Sequence, residues 1–100
     1  MAEIVAAALT AHAPLITGKP EVSRPEQRDR LYAGFHELRR RLAAARPDLL
    51  VMFVNDHLQN FAYDNLPAFC VGLAGSYEAP SPGWAGLMRL TPRTLRGHPE

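Results

Sequence analysis

Two histidines each stand a few residues beyond a run of apolar, strand-forming side chains: His12 after "EIVAAAL" (3–9) and His57 after "DLLVMFV" (48–54). Imidazole is both a metal ligand and an acid/base group at physiological pH. Two imidazoles converging on one point make half of a metal site, and zinc, iron, copper and nickel all accept that donor type. Asp56, adjacent to His57, has two possible tasks: to orient the ring as a hydrogen-bond acceptor behind a ligand, or to close a turn. A direct ligand role is disfavoured, because neighbouring residues on an extended chain point opposite ways. Spacing alone also allows each histidine to serve only its own loop. Asp64 and Glu78 have no positional support as ligands. His36, beside Phe35, reads as a surface residue, His98 has no assigned role, and Cys70 within "AFCVGL" reads as an inert buried thiol.

The elements that must carry the two histidines follow from periodicity. Residues 3–9 form a short apolar run suited to a buried strand. Residues 13–22 contain Pro14, Gly18 and Pro20 and read as loop. Ser23 and Glu26 have capping-box spacing, with Pro25 tolerated in the first turn. Behind them Leu31, Phe35, Leu38, Leu42 and Ala45 recur at three- and four-residue steps, which predicts an amphipathic helix over about 24–45. Pro47 stops it, since the residue before proline avoids helical backbone. Residues 48–54 then predict a strand buried on both faces, 58–66 a turn-rich connection, and 67–74 a third strand. Phe61, Tyr63 and Phe69 read as core rather than as walls of a pocket. The stretch from 76 to 100, broken by Pro80, Pro82, Pro92 and Pro99, reads as an irregular tail.

Strand, helix, strand is a parallel α/β unit with a right-handed crossover. Both predicted strands run the same way, so His12 and His57 fall at the same edge, where open α/β sheets bind ligands.

The totals describe a single domain or part of one. With 100 residues, 47% hydrophobic, 21% charged and a net charge of +1, the chain has an ordinary globular composition. The short run Arg39–Arg40–Arg41 reads as a solvated helix face, so no nucleic-acid partner is expected. No apolar run approaches the ~20 residues of a membrane span. Glu3 stands where a signal peptide carries positive charge, and the single cysteine fits a reducing compartment. A cytoplasmic location is the expectation.

"AEIVAAALTAHAPLI" followed after a helix by "RPDLLVMFVNDHLQNFAYDNLPAFCVGLAGSYE" resembles the start of class III extradiol ring-cleavage dioxygenases. The most specific parts are the early H-x-P at His12–Pro14 and the "NDH" with its aromatic continuation. The resemblance implies that His12 and His57 are ligands of a mononuclear non-haem Fe(II). It further implies a downstream glutamate ligand and a downstream acid/base histidine, so no catalytic residue is assigned within the chain. It also implies a larger central-sheet fold, of which residues 1–100 are an N-terminal portion and a single partial domain. The expected partners are a catechol-type aromatic molecule and O2, with a homo-oligomer or partner subunit also possible. The alternative is a truncated, non-catalytic relic that keeps two metal-binding histidines.

Overall fold

The structure is a computed structural model that describes residues 1–99. Among these residues six elements are formed: α1 (Leu15–Gly18), a 3-10 turn (Pro20–Val22), α2 (Pro25–Ala45), β1 (Ser76–Ala79), α3 (Pro82–Met88) and β2 (Arg93–Arg96). The content is α/β, with a single two-stranded antiparallel sheet pairing Ser76 with Arg96 through Ala79 with Arg93.

Helix α2 agrees with the predicted span, and its details differ at both ends. Its N-cap is Arg24 rather than Ser23, in extended backbone and without a side-chain cap bond. The capping box therefore does not close, and Pro25 at the first helical position starts the helix instead. At the other end Arg46 turns left-handed (φ 46°) and its N–H bonds to the Leu42 carbonyl, so the helix ends one residue before Pro47. The half-buried stripe runs through Tyr32, Phe35, Leu38, Leu42 and Ala45. Tyr32 takes the place expected of Leu31, because its hydroxyl donates to the Ile16 carbonyl at 2.7 Å and pulls that face towards α1.

The predicted parallel unit is not formed. Among the described residues, 3–9, 48–54 and 67–74 belong to no ladder, and no backbone-to-backbone hydrogen bond joins them to another segment. A strand needs a neighbour for its N–H and C=O groups, and fewer than three strands with a shared apolar face hold poorly in water. These segments find no such neighbour here, and Phe53 stays 97% exposed and Val71 71% exposed. The same lack of cover corrects three further expectations. Cys70 is an exposed thiol rather than a buried one. Tyr63 and Phe69 are 85% and 84% exposed, and only Phe61 is half-buried. The chain is correspondingly open: its Cα radius of gyration is 15.8 Å, against about 13 Å for a compact domain of this length.

The stretch beyond residue 76 is more ordered than its prolines imply. Pro82 occupies the first turn of α3, where its missing N–H costs nothing. Strands β1 and β2 close around that helix, and Thr94 donates to Glu78 at 2.7 Å across the pair. This is local antiparallel pairing, which needs only a short connection, whereas parallel pairing of 3–9 with 48–54 must span the whole of α2.

On the exposed face of α2, Glu37 accepts from Arg40 (2.7 Å) and from Arg41 (2.7 Å). The Arg40 hydrogen bonds first, and the Arg41 bond next, lower the Glu37 carboxyl from its ordinary 4.5 to about 2. A carboxyl lowered on folding contributes stability that is present above its unfolded value and lost as pH falls through its folded value. Helicity followed by circular dichroism is therefore expected to decline between about pH 4.5 and 2. The Glu37→Gln variant is expected to lose that component, and added salt to shrink it, since both partners are exposed.

Candidate metal centre

His12 lies two residues before the N-cap of α1, Pro14, and α1 is held by bonds from Ile16 N–H to the Ala13 carbonyl (3.1 Å) and from Gly18 N–H to the Pro14 carbonyl (3.0 Å). His57 lies in a turn of different construction. It and Leu58 both have left-handed backbone, with φ of 54° and 58°. Such backbone is unfavourable for side chains other than glycine and persists where the surroundings fix it. Here Asp56 fixes it. Its carboxylate accepts from the Asn60 side-chain amide (2.5 Å), from Asn60 N–H (3.1 Å) and from Phe61 N–H (3.2 Å). The Asn60 side chain first, then the backbone donors, lower the Asp56 carboxyl below its usual range. Asp56 is thus committed to the turn that presents His57. The alternative task, orienting a ligand ring from behind, has no hydrogen bond to support it.

The two loops bring the imidazoles together. His12 Nε2 and His57 Nε2 stand 3.0 Å apart across 45 residues of sequence, with ring centroids 5.3 Å apart and planes inclined at 57°. Two neutral imidazole nitrogens facing at this distance need something between their lone pairs. Either one ring carries the proton on Nε2 and donates it to the other, or both present lone pairs to a cation. Donor atoms at adjacent corners of an octahedron with bonds of about 2.1 Å stand about 3.0 Å apart, whereas a tetrahedral edge is about 3.4 Å. The observed 3.0 Å separation matches both an N–H···N hydrogen bond and two adjacent octahedral positions. Both rings are exposed, so ions and small molecules reach them from solvent. Among the described residues no group of three histidine, cysteine, aspartate or glutamate side chains can surround one ion. The pair stands without a third metal-ligating side chain among the described residues, and Asp64 and Glu78 do not supply one.

Three residues that sequence reasoning passed over support this arrangement. Tyr32 ties α2 to α1, Gly18 is the one buried residue among those described, and Arg89 pairs with Glu21 at 3.1 Å. Tyr32 stood at helical spacing with the apolar stripe and was legible in principle. The other two depend on contacts between distant segments, which no local pattern signals.

Comparison with known proteins adds an independent line. The family model described as "Catalytic LigB subunit of aromatic ring-opening dioxygenase" matches residues 6–99. A Rhodococcus protein named 2,3-dihydroxyphenylpropionate/2,3-dihydroxicinnamic acid 1,2-dioxygenase is 42% identical over 72 residues, covering 70% of this chain and 22% of the relative. A protein of the same name from Klebsiella pneumoniae is 39% identical over 54 residues, covering 52% of this chain and 17% of the relative. One from Escherichia coli is 45% identical over 38 residues, 38% of this chain and 12% of the relative. The chain thus spans about a fifth of the length of the first of these curated relatives. No solved structure gives a significant match.

The role of Asp56 is open to direct measurement. Asp56→Ala is expected to speed amide exchange at Asn60 and Phe61 several-fold, because both N–H groups lose their acceptor. Unchanged exchange would show that the carboxylate does not hold the turn.

Proposed function

Because the chain belongs to the family of the catalytic LigB subunit of aromatic ring-opening dioxygenase, we propose that His12 and His57 supply two ligands of an Fe(II) ion in an extradiol dioxygenase of catechol-type substrates. The observation that carries this reading is the 3.0 Å approach of the two Nε2 atoms. Two histidines with one carboxylate leave open positions on iron, the donor set of non-haem Fe(II) oxygenases. This reading takes the carboxylate and the acid/base group to lie outside these 100 residues.

Bound iron would give the two oxygens of a catechol and one O2 a common template and a route for electron density between them. The chain's own contribution is to hold two lone pairs in register. Each imidazole must carry its proton on Nδ1, leaving Nε2 free to ligate. The Asp56–Asn60 turn fixes where the His57 ring leaves the backbone, and helix α1 fixes the chain that follows His12. Holding these groups before substrate arrives removes part of the entropic cost of assembling the reaction. The names of the relatives point to a ring with vicinal hydroxyls and a three-carbon acid side chain, and that class is the substrate to test first.

Membrane attachment through a helix has no support among the described residues, since none is long and apolar enough to cross a bilayer. An exposed, unpaired Cys70 suits a reducing, cytoplasmic setting. The exposed apolar segments also favour self-association or a partner subunit.

The experiment is an anaerobic Fe(II) titration of the 100-residue chain, followed by O2 uptake with 2,3-dihydroxyphenylpropionate. Weak binding with negligible turnover is expected. Affinity is expected to fall on acidification, because the ligating imidazoles must be unprotonated. His12→Ala and His57→Ala are each expected to abolish the binding. Unchanged affinity in either variant would remove that residue from the site.

A further inference from the structure

We propose that α3 is a strut that sets the spacing of the two histidine loops, with Gly18, Glu21 and Arg89 as its positioning residues. The inference rests on the metal-binding reading for its consequence, while its geometry stands apart from it. Helix α3 touches both loops. At its N-terminal end Ser81, the N-cap, reaches Gln59, two residues after His57, through a 3.5 Å hydrogen bond. Gln59 in turn donates its N–H to the Asp56 carbonyl at 3.2 Å. Towards its C-terminal end α3 lies on α1, the helix that follows His12. With 1.5 Å of rise per residue, Ser81 and Leu87 are about 9 Å apart along the helix axis, so one rigid piece spans the distance between the loops.

The contact with α1 is made backbone to backbone. A methyl group placed on Gly18 would collide with the Leu87 carbonyl oxygen and sit 3.6 Å from the Met88 Cα. Gly18 has no left-handed backbone to account for its type, so the close approach of α3 is what its lack of a side chain permits. Beside this contact Arg89 grips Glu21 with two parallel hydrogen bonds, 3.2 and 3.1 Å, between positions 68 residues apart. Arg89 is itself the left-handed C-cap of α3 (φ 50°), and its N–H closes the helix on Ala85 and Gly86. The guanidinium is therefore attached at the point where the helix ends, and its fork fixes orientation as well as distance. Strands β1 and β2 close the segment on either side of the strut, so both its ends are anchored in one hairpin.

An exposed ion pair contributes little to stability, so a purely structural role for Glu21 and Arg89 predicts almost no effect of reversing either. A positioning role predicts an effect on the histidines that returns when the pair is restored with its charges exchanged. The test uses the full chain with Co(II) as probe. The variants are Gly18→Ala, Arg89→Glu and the double variant Glu21→Arg with Arg89→Glu, each checked for α2 helicity by circular dichroism. Gly18→Ala is expected to weaken Co(II) binding about tenfold, the lower end of what residues behind metal ligands contribute. Arg89→Glu is expected to weaken it several-fold, and the double variant to recover it. In the metal-free chain, cross-relaxation between the His12 and His57 ring protons is expected to fall in Gly18→Ala and Arg89→Glu and to return in the double variant. Wild-type cross-relaxation in both single variants would overturn the strut. Equal Co(II) binding by wild type, His12→Ala and His57→Ala would instead overturn the metal reading, and the ring-proton measurement would still decide the strut.

Discussion

The approach of two imidazole nitrogens to 3.0 Å over 45 residues is the constraint around which the chain is arranged. Closing a loop of that length carries an entropic cost of about 3 kcal/mol before any contact is made. No apolar side chain among the described residues is buried, so a hydrophobic core does not offset that cost here. The closure rests on directional contacts instead: the Tyr32 bond to Ile16, the Asp56 turn, the Gly18–Leu87 contact and the Arg89–Glu21 fork. Each lies within a few residues of one histidine loop or on a helix that touches it. Order is thus concentrated around the site while the apolar segments that would flank it remain open.

This distribution has a physical reading. Residues 3–9, 48–54 and 67–74 have the composition of sheet strands and make no sheet among the described residues. Their side chains stay in contact with solvent, as Leu9 does at 99% exposure. Exposed apolar surface of this extent is the basis of the self-association proposed above. The relatives extend well beyond the region matched, since the chain spans 22% of the Rhodococcus protein. The histidine pair comes together with those segments exposed, through two local turns and the contacts of α3 with both.

Several features were legible in the sequence. Helix α2 was, because its apolar residues recur at helical spacing over about four turns and Pro47 marks its end. So was the convergence of His12 with His57, expected from a shared sheet edge and brought about without the sheet. The position of each histidine just past a β-like run was informative even though its literal premise, paired parallel strands, is not met. The order of residues 76–97 was not legible: Pro80 and Pro82 read as breakers, whereas Pro82 starts a helix. Nor was the part played by Gly18, Glu21 and Arg89, since close backbone approach and long-range ion pairing leave no periodic trace. Asp56 was legible as a turn former or as a ring partner, and the three donors it accepts from belong to the turn.

The central claim is that one ion touches both rings. Hyperfine-shifted NMR of the Co(II)-loaded chain reports it most directly, since a ligating imidazole that keeps its proton on Nδ1 gives a strongly shifted exchangeable signal. Two such signals are predicted, and both are expected to be lost in His12→Ala and in His57→Ala, because either substitution abolishes binding. A spectrum in which both signals survive either substitution, or in which none appears with Co(II) bound, would contradict it.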